Sequence, residues 1–307
     1  MLWKRASVLT CLLFGTWACD SSSSSDMDLT DASSEMAADP VRGKPLYDKF
    51  CGFCHGDDGQ GYLADNANAL SNQSFLAAAT DTFLELAIIE GRPGTPMSPW
   101  GQKNGGPLSK ADARDIVAYI REWQVVPAKD LTGGRGLGSI EAGRVTYGAL
   151  CKDCHGPDGQ GITALSLNNP WFLETASNGL IRDAIEVGRE GTPMPAYGDT
   201  LTPIEIDNLV ALIRSWAQPV DGTTMAPFEP DISKAILNPA GAVAEFDLRE
   251  NRFVPAAQVK AAMDDKASFV IIDARPVADY LDSHIKGAVS IPFYRINEYY
   301  EFIKSRA

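Results

Sequence analysis

Two five-residue runs carry the most reactive side chains of this sequence. Cys51-Gly52-Phe53-Cys54-His55 and Cys151-Lys152-Asp153-Cys154-His155 both read Cys-x-x-Cys-His. The two-residue spacer places both thiols on one turn of chain, and an imidazole follows at once. Thiols so spaced can add across the two vinyl groups of a haem, spanning the porphyrin edge, with the histidine aimed at the iron. Zinc ribbons, disulfide pairs and thioredoxin-like dithiols also use Cys-x-x-Cys. The chain has six cysteines, Cys11, Cys19 and the four in these runs, and three histidines, His55, His155 and His284. Two of those histidines directly follow a Cys-x-x-Cys. Covalent haem accounts for that placement and a zinc ribbon does not. The expectation is two haem c groups, one on Cys51 and Cys54 and one on Cys151 and Cys154, with His55 and His155 as iron ligands.

The runs sit inside a longer repeat. Gly43, Tyr47, Cys51, Cys54 and His55 correspond to Gly143, Tyr147, Cys151, Cys154 and His155. Both runs continue as Gly-Asp/Pro-Asp-Gly-Gln-Gly, over 56–61 and 156–161. Asn72, Phe75 and Leu76 match Asn169, Phe172 and Leu173. Gly91-Arg92-Pro93-Gly94-Thr95-Pro96-Met97 then matches Gly188-Arg189-Glu190-Gly191-Thr192-Pro193-Met194. Each unit closes with apolar residues at helical spacing: Ile116, Val117, Ile120 and Trp123, against Leu209, Val210, Ile213 and Trp216. Arg121 and Arg214 keep the same register and are expected on the outer face. One domain is therefore duplicated, over 41–127 and 137–218, with a Gly-rich linker at 128–136.

Each unit resembles a class I cytochrome c domain of the small bacterial kind. That resemblance implies an all-α fold, in which an N-terminal helix ending at the haem motif crosses a C-terminal helix near the duplicated Trp. Gly43 and Gly143 fall where close helix contact needs a residue without a side chain. Met97 lies 42 residues after His55 and Met194 lies 39 after His155, in matching loops stiffened by proline. Methionine is usually core packing. The repetition and the loop context favour Met97 and Met194 as sixth iron ligands instead. With His/Met ligation the chemistry left to each iron is one-electron transfer at a raised potential. Trp100 against Tyr197, Phe53 against Asp153 and Gln73 against Pro170 give the two haems unlike surroundings, so unequal potentials are expected.

The flanks add location. Lys4 and Arg5 precede an apolar stretch, Ala6 to Ala18, of signal-peptide length. Thr16-Trp17-Ala18-Cys19 resembles a lipoprotein signal, which would make Cys19 a lipidated N-terminus. Ordinary cleavage after Ala18 is the alternative, and it would leave Cys19 a lone thiol in an oxidising compartment. Residues 1–19 thus read as an export signal, and 20–40, with five consecutive serines, as a flexible tether. No apolar run reaches about 18 residues, so no ordinary transmembrane helix is expected. The net charge of −13 argues against nucleic-acid binding and suits a partner with a basic face. The expected location is the periplasmic or extracytoplasmic face of a bacterial membrane, with a lipid anchor if Cys19 is lipidated.

Residues 219–253 read as a linker, and the character changes from 254 to 307. Val254 to Val259 suggests a short helix, and Phe269-Val270-Ile271-Ile272 a buried strand. Asp273-Ala274-Arg275 and His284-Ile285-Lys286-Gly287-Ala288 follow. This order resembles the first half of a rhodanese-like domain, with strand, helix and second strand. The family's catalytic cysteine would come later, and no cysteine follows Cys154. The segment reads either as part of a longer domain or as a degenerate docking module, with His284 structural. Fold expectation is therefore mainly α: two tandem cytochrome c-like haem domains, then a partial α/β segment. Function expectation is a tethered dihaem electron carrier, not an enzyme, between redox partner proteins or within a membrane respiratory complex. The alternatives are a haem-containing sulfur-compound oxidoreductase, a sulfurtransferase-linked enzyme and a dihaem peroxidase.

Overall fold

The computed structural model describes residues 37–64, 66–131, 138–220, 222–248 and 253–305. The expected export signal, Cys19 with its lipid, and all but the end of the tether lie outside the described residues. The first unit comprises α1 (Pro40–Phe50), α2 (Gly52–His55), α3 (Gln73–Ala78), α4 (Asp81–Glu90) and α5 (Lys110–Arg121). The second repeats it as α6 (Ile140–Leu150), α7 (Lys152–His155), α8 (Pro170–Thr175), α9 (Asn178–Val187) and α10 (Pro203–Ser215). Eight of these helices start at a side-chain cap: Asp39, Asn72, Thr80 and Ser109, then Ser139, Asn169, Ser177 and Thr202. Such caps contribute about 1 kcal/mol each. Ser109 with Asp112, and Thr202 with Glu205, complete reciprocal capping boxes on the last helix of each unit.

Each unit is held by the crossing of its first and last helices. At Gly43 an added Cβ would sit 1.9 Å from the Asp115 carbonyl oxygen, and at Gly143 it would sit 2.1 Å from that of Asn208. The two backbones therefore touch. Buried side chains lock the same crossing. Asp115 accepts from the Asp39 amide (2.8 Å) and from Arg42 Nε (2.7 Å). In the second unit neutral Asn208 accepts from the Ser139 amide (2.7 Å). Ile116, Val117 and Ile120 are buried behind this contact, as are Leu209, Val210 and Ile213. The all-α expectation and the helix crossing hold.

Arg121 and Arg214 depart from the expected outer face. Arg121 donates to the Leu76 (2.7 Å) and Ala79 (2.6 Å) carbonyls, and Arg214 to those of Leu173 (2.5 Å) and Ala176. Each satisfies carbonyls at the end of the short helix α3 or α8 that no helical turn can reach. The stretch read as a linker at 128–136 begins with packing: the Lys129 amide donates to the Ala77 carbonyl (2.7 Å), and its ammonium pairs with buried Asp183 of the second unit.

The remainder is a small α/β segment. It contains β1 (Ile236–Leu237), α11 (Ala256–Asp264), β2 (Phe269–Val270), β3 (Ile272–Asp273), α12 (Val277–Asp282), β4 (Val289–Ser290) and α13 (Tyr300–Lys304). β1 pairs antiparallel with β2, and β3 pairs parallel with β4 across α12. Two differences from the sequence reading appear. The apolar run 269–272 is not one buried strand but two short half-buried ones, because the chain changes partner at Ile271. The stretch 219–253, read as a linker, supplies β1 and the fully buried Ala235 to the small core around Val289 and Ile291. Among the described residues, no helix is long and apolar enough to cross a membrane.

The helix crossing is tested with a glycine pair on α6. Gly143→Ala should destabilise the protein by roughly 1–3 kcal/mol, the usual cost of overpacking. Gly148, whose added Cβ meets nothing within 4 Å, should instead gain about 0.5–1 kcal/mol as Ala. Denaturant midpoints of the two variants check both signs.

Candidate haem sites

Each Cys-x-x-Cys-His run forms one tight turn at the end of its unit's first helix. The amide of Cys51 donates to the Tyr47 carbonyl (2.8 Å), and those of Cys54 and His55 to the Cys51 carbonyl (3.2 and 3.0 Å). The second run repeats this at Cys151, Cys154 and His155. None of the four thiols is in a disulfide. Burial pushes the Cys51 thiol up to about 12 and the Cys151 thiol to about 11, with the neighbouring thiol adding to both. A reactive thioredoxin-like dithiol needs the opposite shift. Among the described residues, no three His, Cys, Asp or Glu side chains converge as a metal cluster. The zinc and dithiol readings find no support in this geometry.

The two histidines share one hydrogen-bond arrangement. His55 Nδ1 lies 2.8 Å from the Asn68 carbonyl oxygen, and His155 Nδ1 lies 2.8 Å from that of Leu165. A carbonyl only accepts, so each Nδ1 carries the proton and each Nε2 keeps its lone pair for a metal. Burial lowers the pKa of both rings, against a smaller opposing effect of that hydrogen bond, and so favours the neutral form a metal needs. The turn beyond is braced identically in both units. Tyr47 and Tyr147 donate to the Gly56 and Gly156 carbonyls, at 2.7 Å each. Gly56 and Gly156 adopt φ of 84° and 83°, which a side chain would strain. Trp123 and Trp216 stand edge-on to those tyrosines, with centroids at 5.1 and 5.2 Å. The end of the last helix thus supports the start of the haem motif.

Met97 and Met194 occupy matching loops. Arg92 N donates to Met97 O (2.7 Å), Thr95 Oγ1 to Arg92 O (2.7 Å), and Met97 N to Thr95 Oγ1 (3.2 Å). Arg189, Thr192 and Met194 repeat the circuit at 2.9, 2.7 and 3.2 Å. Both thioethers are half-buried. Per unit the donors are two thiols outside any disulfide, one imidazole with its proton on Nδ1 and one thioether. Half-buried apolar side chains accompany them: Leu70, Phe75 and Trp100 in one unit, Leu165, Leu167 and Tyr197 in the other. This set fits a haem in each unit.

The two sites differ in what covers their loops, which the sequence did not reveal. The α/β segment packs on the first loop. Ser98 Oγ donates to Asp279 Oδ2 (2.6 Å), and Tyr294 OH to the Gly105 carbonyl (2.9 Å). Trp100 packs among Phe50 (5.4 Å), Phe293 (5.9 Å) and Tyr294 (6.5 Å). In the second unit Tyr197 OH donates at the surface to the Leu150 carbonyl (3.2 Å). The guanidinium environments differ too. Among the described residues, no carboxylate pairs with buried Arg92, and desolvation lowers its pKa to about 10. Arg189 has Asp183 at 3.7 Å. His284 stacks on Tyr280 at 4.0 Å and bonds its carbonyl at 2.7 Å, a structural role.

Two family models match the chain. The family model described as cytochrome c oxidase, cbb3-type, subunit III matches residues 38–120 and 138–213, just over half of the chain. A rhodanese-like domain model matches residues 255–305. The chain is 27% identical over 190 residues to the cbb3-type cytochrome c oxidase subunit CcoP of Rubrivivax gelatinosus, covering 60% of this chain and 57% of that protein. It is 28% identical over 181 residues to the subunit FixP of Azorhizobium caulinodans, covering 57% and 59%. The chain thus spans less than two thirds of the length of either relative. Among solved structures, the reducing HAO-like protein complex of Kuenenia stuttgartiensis aligns with a TM-score of 0.40 at 21% identity, covering 60% of this chain and 100% of that one. The chain belongs to the cytochrome c family of cbb3-type oxidase subunit III, carries covalently bound haem c, and adds a rhodanese-like domain at its C-terminal side.

Proposed function

We propose that this chain is a two-haem relay that passes single electrons between redox proteins at the outer face of a bacterial membrane. Cys51 and Cys54, and Cys151 and Cys154, hold the two haems. His55 with Met97, and His155 with Met194, ligate the irons. The observation that carries the reading is the paired donor set: one imidazole with its proton locked on Nδ1 and one thioether in a stiff loop, repeated in both units. When bound, the haem supplies a one-electron couple. With a haem bound, His55 and Met97, and His155 and Met194, would hold its iron, and the Nδ1 hydrogen bonds would keep each imidazole in one orientation. An electron-transfer site needs that constancy, and a peroxidase or sulfur-oxidising site needs an open position. The α/β segment contains no cysteine. Its contribution to the relay is the cover it places on the first ligand loop.

The partner is a respiratory complex, in keeping with the oxidase subunits to which the chain is similar. The anchor is a lipid on Cys19. Intact mass tests both attachments. The mature protein should carry two haems and an acylated N-terminal cysteine, and Cys151→Ser/Cys154→Ser should lose one haem only. An unmodified Cys19 would remove the anchor, and a double variant that keeps both haems would remove the attachment assignment.

The relay has a slope. Oxidation adds positive charge at an iron, and both water exclusion and an unpaired buried cation oppose it. The first unit has its loop covered and, among the described residues, no carboxylate paired with Arg92, so its potential should be the higher. An electron entering at the second unit then moves downhill to the first. Spectroelectrochemical titration should resolve two one-electron waves, and Trp100→Ala should lower the upper one. A single wave of two equal components, unchanged by Trp100→Ala, contradicts this.

A further inference from the structure

The two units meet through a reciprocal pair of hydrogen bonds. Asn72 Nδ2 donates to the Glu190 carbonyl (2.8 Å), and Asn169 Nδ2 donates to the Pro93 carbonyl (2.9 Å). Asn72 and Asn169 occupy equivalent positions in the repeat, and so do Pro93 and Glu190. Each bond leaves one unit and ends in the methionine loop of the other. Phe83 against Phe172 (6.2 Å) and Ser74 Oγ to the Gly188 carbonyl (3.1 Å) bring the same surfaces together.

Helix capping alone does not call for asparagine here. Through Oδ1, Asn72 caps α3 at the Phe75 amide (2.9 Å), and Asn169 caps α8 at the Phe172 amide (3.1 Å). The other six capped helices use Asp, Ser or Thr for that task. Asparagine adds a planar amide donor once its oxygen is committed. Capping fixes the side chain's rotation, so Nδ2 is aimed without further ordering cost. The receiving carbonyls lie in the turn closed by Arg92 and Met97, or by Arg189 and Met194. Asn169 is 3% exposed, so its bond is shielded from competing water.

We infer that Asn72 and Asn169 are crossed positioning residues, each holding the thioether loop of the opposite unit and so setting the strength of that unit's iron–sulfur bond. The inference rests on the assignment of Met97 and Met194 as axial ligands. Its signature is a crossed pattern. A residue that only stabilised its own helix would act on its own haem.

The test uses Asn72→Ser and Asn169→Ser in the full haem-loaded chain. Serine keeps the cap and is too short to reach the facing loop. The readouts are the iron-bound methionine methyl resonances of the reduced protein, assigned with Met97→His and Met194→His, and carbon monoxide binding at each ferrous iron. Asn169→Ser should shift the Met97 resonance and speed carbon monoxide binding in the first unit by roughly two- to tenfold, as loss of one hydrogen bond implies. Asn72→Ser should do the same to Met194 and the second unit. Effects confined to the variant's own unit, or no effect, overturn the inference. If the wild type shows no bound-methionine resonance, the ligand assignment fails by itself. Amide exchange then decides the clamp: faster exchange at Arg92 and Thr95 in Asn169→Ser upholds it, and unchanged exchange overturns it.

Discussion

The contact between the Gly43 backbone and the Asp115 carbonyl, repeated between Gly143 and Asn208, is the constraint on which both units depend. Only without a side chain at the crossing can the first and last helices approach so closely. That approach brings Trp123 against Tyr47, and Tyr47 then holds the turn that carries His55. The haem motif is therefore positioned by a residue about one helical turn into α1 and a tryptophan just past the end of α5. A shift in the crossing would propagate to the imidazole through those two rings. The polar locks at Asp115 and Asn208 serve the same geometry by different chemistry, a charged pair in one unit and a neutral amide in the other. Burying a carboxylate is costly unless it is paired, and Arg42 provides the pairing.

Much of this was legible in the sequence because duplication exposes it. Residues that serve the motif recur at matched offsets, so the helix crossing, the paired tyrosines and the methionine loop stand out from their surroundings. What was not legible involves partners that spacing does not reveal. Arg121 and Arg214 looked like surface charges at helical spacing, yet each reaches carbonyls some 40 residues away in sequence. The apolar run 269–272 suggested one strand, but backbone pairing splits it between two partners. The stretch after the second unit looked like linker because β1 is only two residues long, too short for alternation to show. Asn72 and Asn169 were visible as a matched pair, while the crossing of their bonds between units needed the folded arrangement.

Near-identity in the two donor sets coexists with unlike surroundings. The hydrogen-bond circuits around Met97 and Met194 agree bond for bond. Beyond them, one loop is covered by aromatic side chains of the α/β segment and the other is closed by half-buried Tyr197. Duplicated units can thus keep the ligand chemistry constant while the outer contacts tune each iron separately. In this view the rhodanese-like domain contributes through packing at Trp100 and Ser98, a role that needs no thiol.

The central claim is that both irons are held by one imidazole and one thioether. Near-infrared magnetic circular dichroism with electron paramagnetic resonance of the ferric protein tests it most directly. The account predicts two low-spin haems, each with a sulfur-to-iron charge-transfer band of thioether ligation. A high-spin signal, or a low-spin centre with two nitrogen ligands, at either haem would contradict it.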